Sequence, residues 1–414
     1  MVTLYVVRFQ VALAHNLGTI CGVSLLVLAT LALGALLSRP PWHAAFIPLT
    51  LTAMVLTLVY NPQFALLMSF SLAVAMTVVL EAKLGYLLIQ MGGLAVAVLL
   101  LRGVRTRTQL VKVASAAGLA YMAMTVATGT LYEQTWNLIA ADGLRNFLWG
   151  SLAGFLLTGL LPLVERCFGI VTDISLLELA DGSHPLLQEL IRRAPGTYTH
   201  SMTVATLAEG GAEAIDANPL LTRVGSYFHD IGKMLKPSYF IENQTGENLH
   251  DALEPALSTL VIIGHVKDGL ALARQYRLPR PITDFITQHH GTTLVEFFYR
   301  EAMRLQEQNG QAAAELEASF RYPGPKPRSR EAGLLMLADA VESTSRSLMS
   351  PTPNSLRKLV HDLLMKRLLD GQFEESGLTL TELHIIEESL SKSLIALFHA
   401  RIKYPETAAY TRAS

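Results

Sequence analysis

Apolar residues run almost unbroken through the first 165 positions, with interruptions spaced at about one bilayer thickness. The segments 17–37, 44–60, 63–80, 84–101, 111–130 and 146–164 read as membrane-spanning helices. Asn61-Pro62 separates the second from the third, and Glu81-Ala82-Lys83 the third from the fourth. A secretory leader does not fit, because hydrophobic segments continue long after the first one.

Past position 165 the pattern changes. Residues 166–183 form a connector whose run Ile174–Ala180 has helical spacing. From His184 onward, apolar positions recur at three and four over 200–216, 219–231, 252–275, 281–289, 331–348 and 354–370. No alternating strand pattern occurs, so an all-α fold is expected. It comprises a polytopic helical membrane domain (1–165), the connector, an all-helical domain (184–405) and a tail (406–414). The stretch 321–330 holds three prolines and cannot be a regular helix. It reads as a basic loop, either solvated or holding an anionic substrate.

Charge sharpens this division. Only twelve of the sixty-seven charged residues lie within 1–165. A formal net charge of -1 gives no basic surplus for polymeric nucleic acid. Two cysteines, Cys21 and Cys167, supply neither a disulfide framework nor a thiolate metal site. Arg102, Arg105, Arg107 and Lys112 cluster between the fourth and fifth helices. The positive-inside rule places that loop, the N-terminus and the C-terminal domain in the cytoplasm. A loop at 131–145 with Glu133, Asp142 and Arg145 then lies outside, and Arg39 alone runs against this orientation. No intramembrane carboxylate or lysine marks an ion path, which disfavours a transporter. The first half reads as an anchor in the cell membrane, or a sensor.

The chemistry gathers around Tyr227-Phe228-His229-Asp230-Ile231-Gly232-Lys233. An adjacent histidine and aspartate offer a nitrogen and a carboxylate that can reach two cations. Gly232 suits a left-handed helix end after the pair. Seven candidate ligands follow in order: His200, His229, Asp230, His265, His289, His290 and Asp339. Each sits among apolar helical neighbours, where a polar group is costly unless paired. The mixed nitrogen and oxygen set suits iron, manganese or zinc, and its size fits two ions bridged by Asp230. Such a pair activates water and stabilises a phosphoryl group under attack. His184 and His250 are expected to be structural, as are His15, His43, His361, His384 and His399.

The words joining these residues carry a resemblance. They are His184-Pro185-Leu186-Leu187, Ala194-Pro195-Gly196-Thr197-Tyr198-Thr199-His200-Ser201, Phe228 to Lys233, and Tyr239-Phe240-Ile241-Glu242-Asn243-Gln244. They continue with Gly264-His265-Val266, Gln288-His289-His290-Gly291-Thr292-Thr293, Phe320 to Pro327, and Leu337-Ala338-Asp339. This order resembles the HD-domain phosphohydrolases, and one branch closely: the seven-transmembrane HD family of bacterial cyclic-di-AMP phosphodiesterases (PgpH type). The resemblance implies that His200, His229, Asp230 and Asp339 hold one ion, and Asp230, His265, His289 and His290 the other. It implies iron or manganese as the metal, cyclic-di-AMP opened to pApA, and Lys233 touching the phosphate. Members of that family usually carry an anchor helix, a large extracellular domain and seven further membrane helices. Six helices are read here and no stretch is left for the extracellular domain.

Alternatives from other classes are an HD hydrolase of cyclic-di-GMP or another nucleotide phosphoester, and a membrane receptor with a non-catalytic metal site. A homodimer is compatible with the tethered helical domain, though no heptad run is long enough to argue one.

Overall fold

The computed structural model describes residues 17–101, 103–309, 317–349 and 351–399. Among these the chain is all-α. Its one β feature is an isolated antiparallel bridge between Leu294 and Arg321. His15, Arg102 and the tail at 406–414 lie outside the described residues, as does the side chain of His399. The chain divides into two compact units, 1–175 and 176–414.

The first unit contains α1 (Leu17–Leu37), α2 (Phe46–Val59), α3 (Pro62–Val79), α4 (Leu84–Leu100), α5 (Arg107–Leu131) and α6 (Trp136–Phe168). Asn61 caps α3 through Phe64 N, ahead of Pro62 in its first turn. Four of the six are long and apolar enough to cross a membrane, while α2 and α4 are shorter apolar helices. The composition of Pro255–Gln275 would also admit a span. That helix belongs to the second unit, however, and buries Ser258, Thr259 and His265.

Two boundaries differ from the sequence reading. Helix α5 starts at Arg107, because Thr106 and Gln109 form a capping box there. Helix α6 starts at Trp136, so most of the expected 131–145 loop is helix. Asp142 and Arg145 are tolerated because they pair one turn apart at 2.8 Å. Helices α5 and α6 approach closely at small residues: a side chain at Gly150 would meet Gly118 Cα at 2.8 Å. At the far end of α6, Glu165 accepts from Thr172 N (2.8 Å), Thr172 Oγ1 (2.6 Å) and Ser175 Oγ (2.8 Å). This fixes the start of α7 (Asp173–Leu179).

The second unit contains α8 (Pro185–Arg193), α9 (Pro195–Ala214), α10 (Pro219–Phe228), α11 (Pro255–Gln275), α12 (Arg280–Gln288), α13 (Glu296–Asn309), α14 (Arg330–Ser345), α15 (Pro353–Leu369) and α16 (Leu380–His399). Short 3₁₀ turns join α10 to α11, the first at Ile231–Leu235. Helix α14 is apolar on every side because it is enclosed: Ala332 through Asp339 are all buried. Its core is shared with Val204 and Leu207 of α9, Leu356 and Val360 of α15, and Ile386 and Leu390 of α16.

The proline-rich stretch is irregular, as expected, but its cations are already taken. Arg321 pairs with Glu317 and Asp370, Lys326 with Glu374, Arg328 with Glu375, and Arg330 with Glu382. The loop is thus tied to its own chain, which argues against its serving as an anion site.

Candidate metal centre

Five separate segments bring the seven candidate ligands together. His200 comes from α9. His229 ends α10, and Asp230 follows in the turn before the first 3₁₀ helix. His265 lies in α11, His289 and His290 directly follow α12, and Asp339 lies in α14. They form two groups that share Asp230: Asp230, His265, His289 and His290, and His200, His229, Asp230 and Asp339. Within each group the donor atoms lie within 4.8 Å of one another.

The shared carboxylate divides its oxygens between the groups. Asp230 Oδ2 faces His200 Nε2 at 3.5 Å and His229 Nε2 at 3.2 Å. Its Oδ1 faces His265 Nε2 at 3.3 Å and His289 Nε2 at 3.6 Å. On the first side, Asp339 Oδ1 lies 3.0 Å from His200 Nε2. Partners behind the rings fix their orientation. Nδ1 of His229 meets Ser226 O at 2.7 Å, and Nδ1 of His265 meets Ile262 O at 2.6 Å. His289 Nδ1 meets Ile286 O at 3.0 Å, and His200 Nδ1 meets Glu342 Oε2 at 2.6 Å. Each contact turns Nε2 inward, as metal-binding imidazoles require.

The donor set fits a divalent cation. His200 Nε2, His229 Nε2 and Asp230 Oδ1 are buried and make no hydrogen bond, although acidic and imidazole atoms crowd around them. Buried orphans of this kind are costly unless a ligand satisfies them. The buried His/Asp cluster is therefore compatible with a divalent metal site.

Electrostatics separates the two sides. Burial disfavours charge on His229, but Asp230 and Asp339 outweigh it and lift the imidazole to about 10. His200 is raised too, against its burial, by Asp339 and Glu342. Burial instead pushes His265 down to about 3 and His290 well below its ordinary value. Protonation of His229 thus stabilises the metal-free fold fully below its ordinary value of 6.5, and this contribution is lost as pH rises through about 10. A divalent ion needs the neutral ring, so metal uptake must expel that proton. Apparent metal affinity is expected to fall about tenfold per pH unit per displaced proton, from roughly pH 9 to pH 6. Calorimetry in two buffers of different ionisation enthalpy measures the proton count, and a count of zero would refute this ordering.

One sequence expectation needs adjustment. Gly232 is not a left-handed helix end. It lies in the 3₁₀ turn packed on α11, where a Cβ would sit 1.9 Å from His265 O. The left-handed glycine is Gly291 (φ +52), directly after His290. His184 and His250 are structural, as expected: His184 caps α8 through Leu186 N, and His250 Nε2 lies 2.9 Å from Tyr239 O. Sequence reasoning passed over Glu342, Arg346, Glu242 and Tyr322. Glu342 stands three residues after Asp339 on α14, and Arg346 caps the C-terminal end of that helix. A carboxylate so deep in an apolar helix was the available signal.

Lys233 pairs with Asp230 Oδ2 at 2.6 Å and Glu242 Oε1 at 3.0 Å, beside the Phe240 ring. Glu242 also accepts from Thr197 Oγ1 at 3.0 Å. Tyr322 stacks on His290 with ring centroids 4.2 Å apart. A cavity of about 320 Å³ opens over the centre, lined by His200, Lys233, Glu242, Glu342 and Arg346 among others. Glu342 joins its two sides, holding His200 with one oxygen and Arg346 with the other (Nε 2.8 Å).

Residues 1–172 match the family described as 7TM receptor with intracellular HD hydrolase, and residues 197–344 match the HD domain family. The two matches fall one in each compact unit, and neither spans half of the chain. Similar proteins include cyclic-di-AMP phosphodiesterase PgpH of Bacillus subtilis (strain 168). It is 44% identical over 292 residues, covering 69% of this chain and 40% of that protein. The protein of the same name from Listeria monocytogenes serotype 1/2a (strain 10403S) is 37% identical over 370 residues, 88% of this chain and 50% of that one. The chain thus spans half or less of the length of these relatives. The crystal structure of the L. monocytogenes phosphodiesterase PgpH HD domain is 43% identical, covering 52% of this chain and 100% of that one, with a TM-score of 0.49. The same domain in complex with cyclic-di-AMP matches at the same identity and TM-score. As expected, the chain is a membrane protein, and its second unit carries the HD domain match.

Proposed function

We propose that this chain is a membrane-anchored phosphodiesterase that uses two divalent ions, iron or manganese, to open cyclic-di-AMP to linear pApA. The observation that carries the proposal is the division of Asp230's two oxygens between two donor groups. His200, His229, Asp230 and Asp339 would hold one ion, and Asp230, His265, His289 and His290 the other. When bound, such a pair supplies an activated water and neutralises charge on the phosphoryl group.

The chain's own residues do the rest. Lys233, kept in place by Glu242, donates to a non-bridging oxygen of the reacting phosphate. Arg346 lines the same cavity, fixed by Glu342, and takes the second phosphate that a cyclic dinucleotide carries. Choice of adenine over guanine rests on the relatives, whose names specify cyclic-di-AMP. Arg105, Arg107, Lys112 and Arg166 stand at the end of the bundle where the connector leaves. That bias supports a cytoplasmic hydrolase domain.

The test uses the full chain in nanodiscs, with cyclic-di-AMP and cyclic-di-GMP assayed side by side and metal measured on the same sample. Selective formation of pApA with two metals per chain is expected. Two bound metals and no turnover of the adenine compound would sink the substrate assignment. Arg346→Gln is expected to raise KM about tenfold or more with kcat little changed, the loss of one charged hydrogen bond.

A further inference from the structure

We infer that the membrane unit holds a second binding site, for a small organic anion with a flat apolar body. It lies at the end of the bundle away from the connector, ringed by the loops at 38–45, 80–83 and 132–135. A cavity of about 620 Å³ opens there, lined among others by His43, Phe46, Lys83, Tyr86, Arg145 and Asn146. That volume lies within the range of small-molecule sites and exceeds what a lone ion needs.

The floor is polar and built. Asn146 is only 5% exposed and donates from Nδ2 to Thr125 Oγ1 at 2.9 Å. Thr125 in turn donates to Tyr121 O at 2.7 Å. These bonds satisfy the buried groups and hold the floor in one arrangement. Among the lining residues two cations, Lys83 and Arg145, face one carboxylate, Asp142. Among the described residues Lys83 makes no ion pair, whereas Arg145 shares Asp142 and leaves a buried Nε without a hydrogen-bond partner. An ammonium and a free guanidinium N–H call for carboxylate or phosphate oxygens. The remaining wall is aromatic. Phe46 and Tyr86 lie 5.6 Å apart, and Tyr132 packs over Gly85, where a Cβ would meet Cε2 at 2.6 Å. Such rings accept a flat apolar group.

The position gives the site a reach. Helix α6 runs from Asn146 at the cavity to Glu165 at the connector, with Pro162 near its far end, roughly 28 Å along its axis at 1.5 Å per residue. An occupant that moves the first turns of α6 therefore acts on the helix whose last turns hold Thr172 and Ser175.

The three tryptophans provide the readout. Trp42 and Trp136 lie in and beside these loops, and Trp149 Nε1 donates to Trp42 O at 3.1 Å. Tryptophan emission, excited beyond the tyrosine absorption band, thus reports this end. In phosphatidylcholine nanodiscs, phenyl phosphate and phenylacetate should each give a saturable emission change. Benzyltrimethylammonium, of similar shape and opposite charge, should not. Lys83→Gln and Arg145→Gln should each weaken anion binding at least about tenfold. Lys83 is exposed and unpaired, so its variant keeps the test valid if loss of the Arg145–Asp142 pair disturbs folding. Nanodiscs containing phosphatidylglycerol separate two sources: a response lost there assigns the site to a lipid headgroup, a response retained to a soluble anion. No saturable change with either anion, an equal response to the cation, or binding unaltered by both variants would overturn the inference.

Discussion

Asp230→Ala is expected to lower cyclic dinucleotide turnover by about a thousandfold or more and to bring bound metal from two ions per chain to less than one. Both effects come from one change, because each carboxylate oxygen serves a different donor group. The metal-free protein should suffer as well. Lys233 Nζ lies 2.6 Å from Asp230 Oδ2, and charge on His229 depends on the same carboxylate. Removing it leaves a buried cation with Glu242 as its remaining close partner, at a cost of about 3–5 kcal/mol. A lower melting temperature of the metal-free variant, with metal content and turnover on the same preparation, checks all three. Full hydrolysis with two metals retained would be incompatible with the proposed centre.

Gly232→Ala should be nearly as damaging although Gly232 touches no substrate. Its Cβ would meet His265 O at 1.9 Å and Gly269 N at 2.5 Å. Both are backbone atoms of α11, so no side chain can rotate away. The 3₁₀ turn must move off the helix, and it carries Lys233 and follows Asp230, while the helix carries His265. Destabilisation of about 3 kcal/mol or more and at least a hundredfold loss of turnover are expected. Thermal melting and initial rates decide this; wild-type values for both would show that the close approach is not needed.

Much of this was legible in the sequence because periodicity and ligand chemistry leave marks that need no partner. Six apolar runs gave six helices, and seven residues chosen for being polar among apolar neighbours converge in space. What stayed hidden depends on contacts between distant segments. Glu342 and Asp339 are both acids inside one buried helix, yet only the fold brings Glu342 to His200, 142 residues away. Gly232 looked like a helix end because glycine's backbone freedom is its common use; its lack of a side chain matters only once α11 lies against it. The start of α6 was missed because Asp142 and Arg145 look like loop residues until their pairing one turn apart is seen. Helices α8 and α13 fell outside the helix segments read from periodicity because α8 is short and α13 buries few positions fully; α16 was missed although its stripe Leu383, Ile386, Leu390 and Leu394 is buried in the core.

Three of the imidazoles lean on carbonyls of their own helices: His229 on Ser226, His265 on Ile262, and His289 on Phe285 and Ile286. A carbonyl oxygen belongs to every residue type, so no substitution at those four positions can delete the prop, provided the helix persists. These ligands are therefore insulated from mutational drift in their immediate neighbours. His200 is the exception, since its prop is the side chain of Glu342. Of the four props behind the rings, that carboxylate is the one a side-chain substitution can remove.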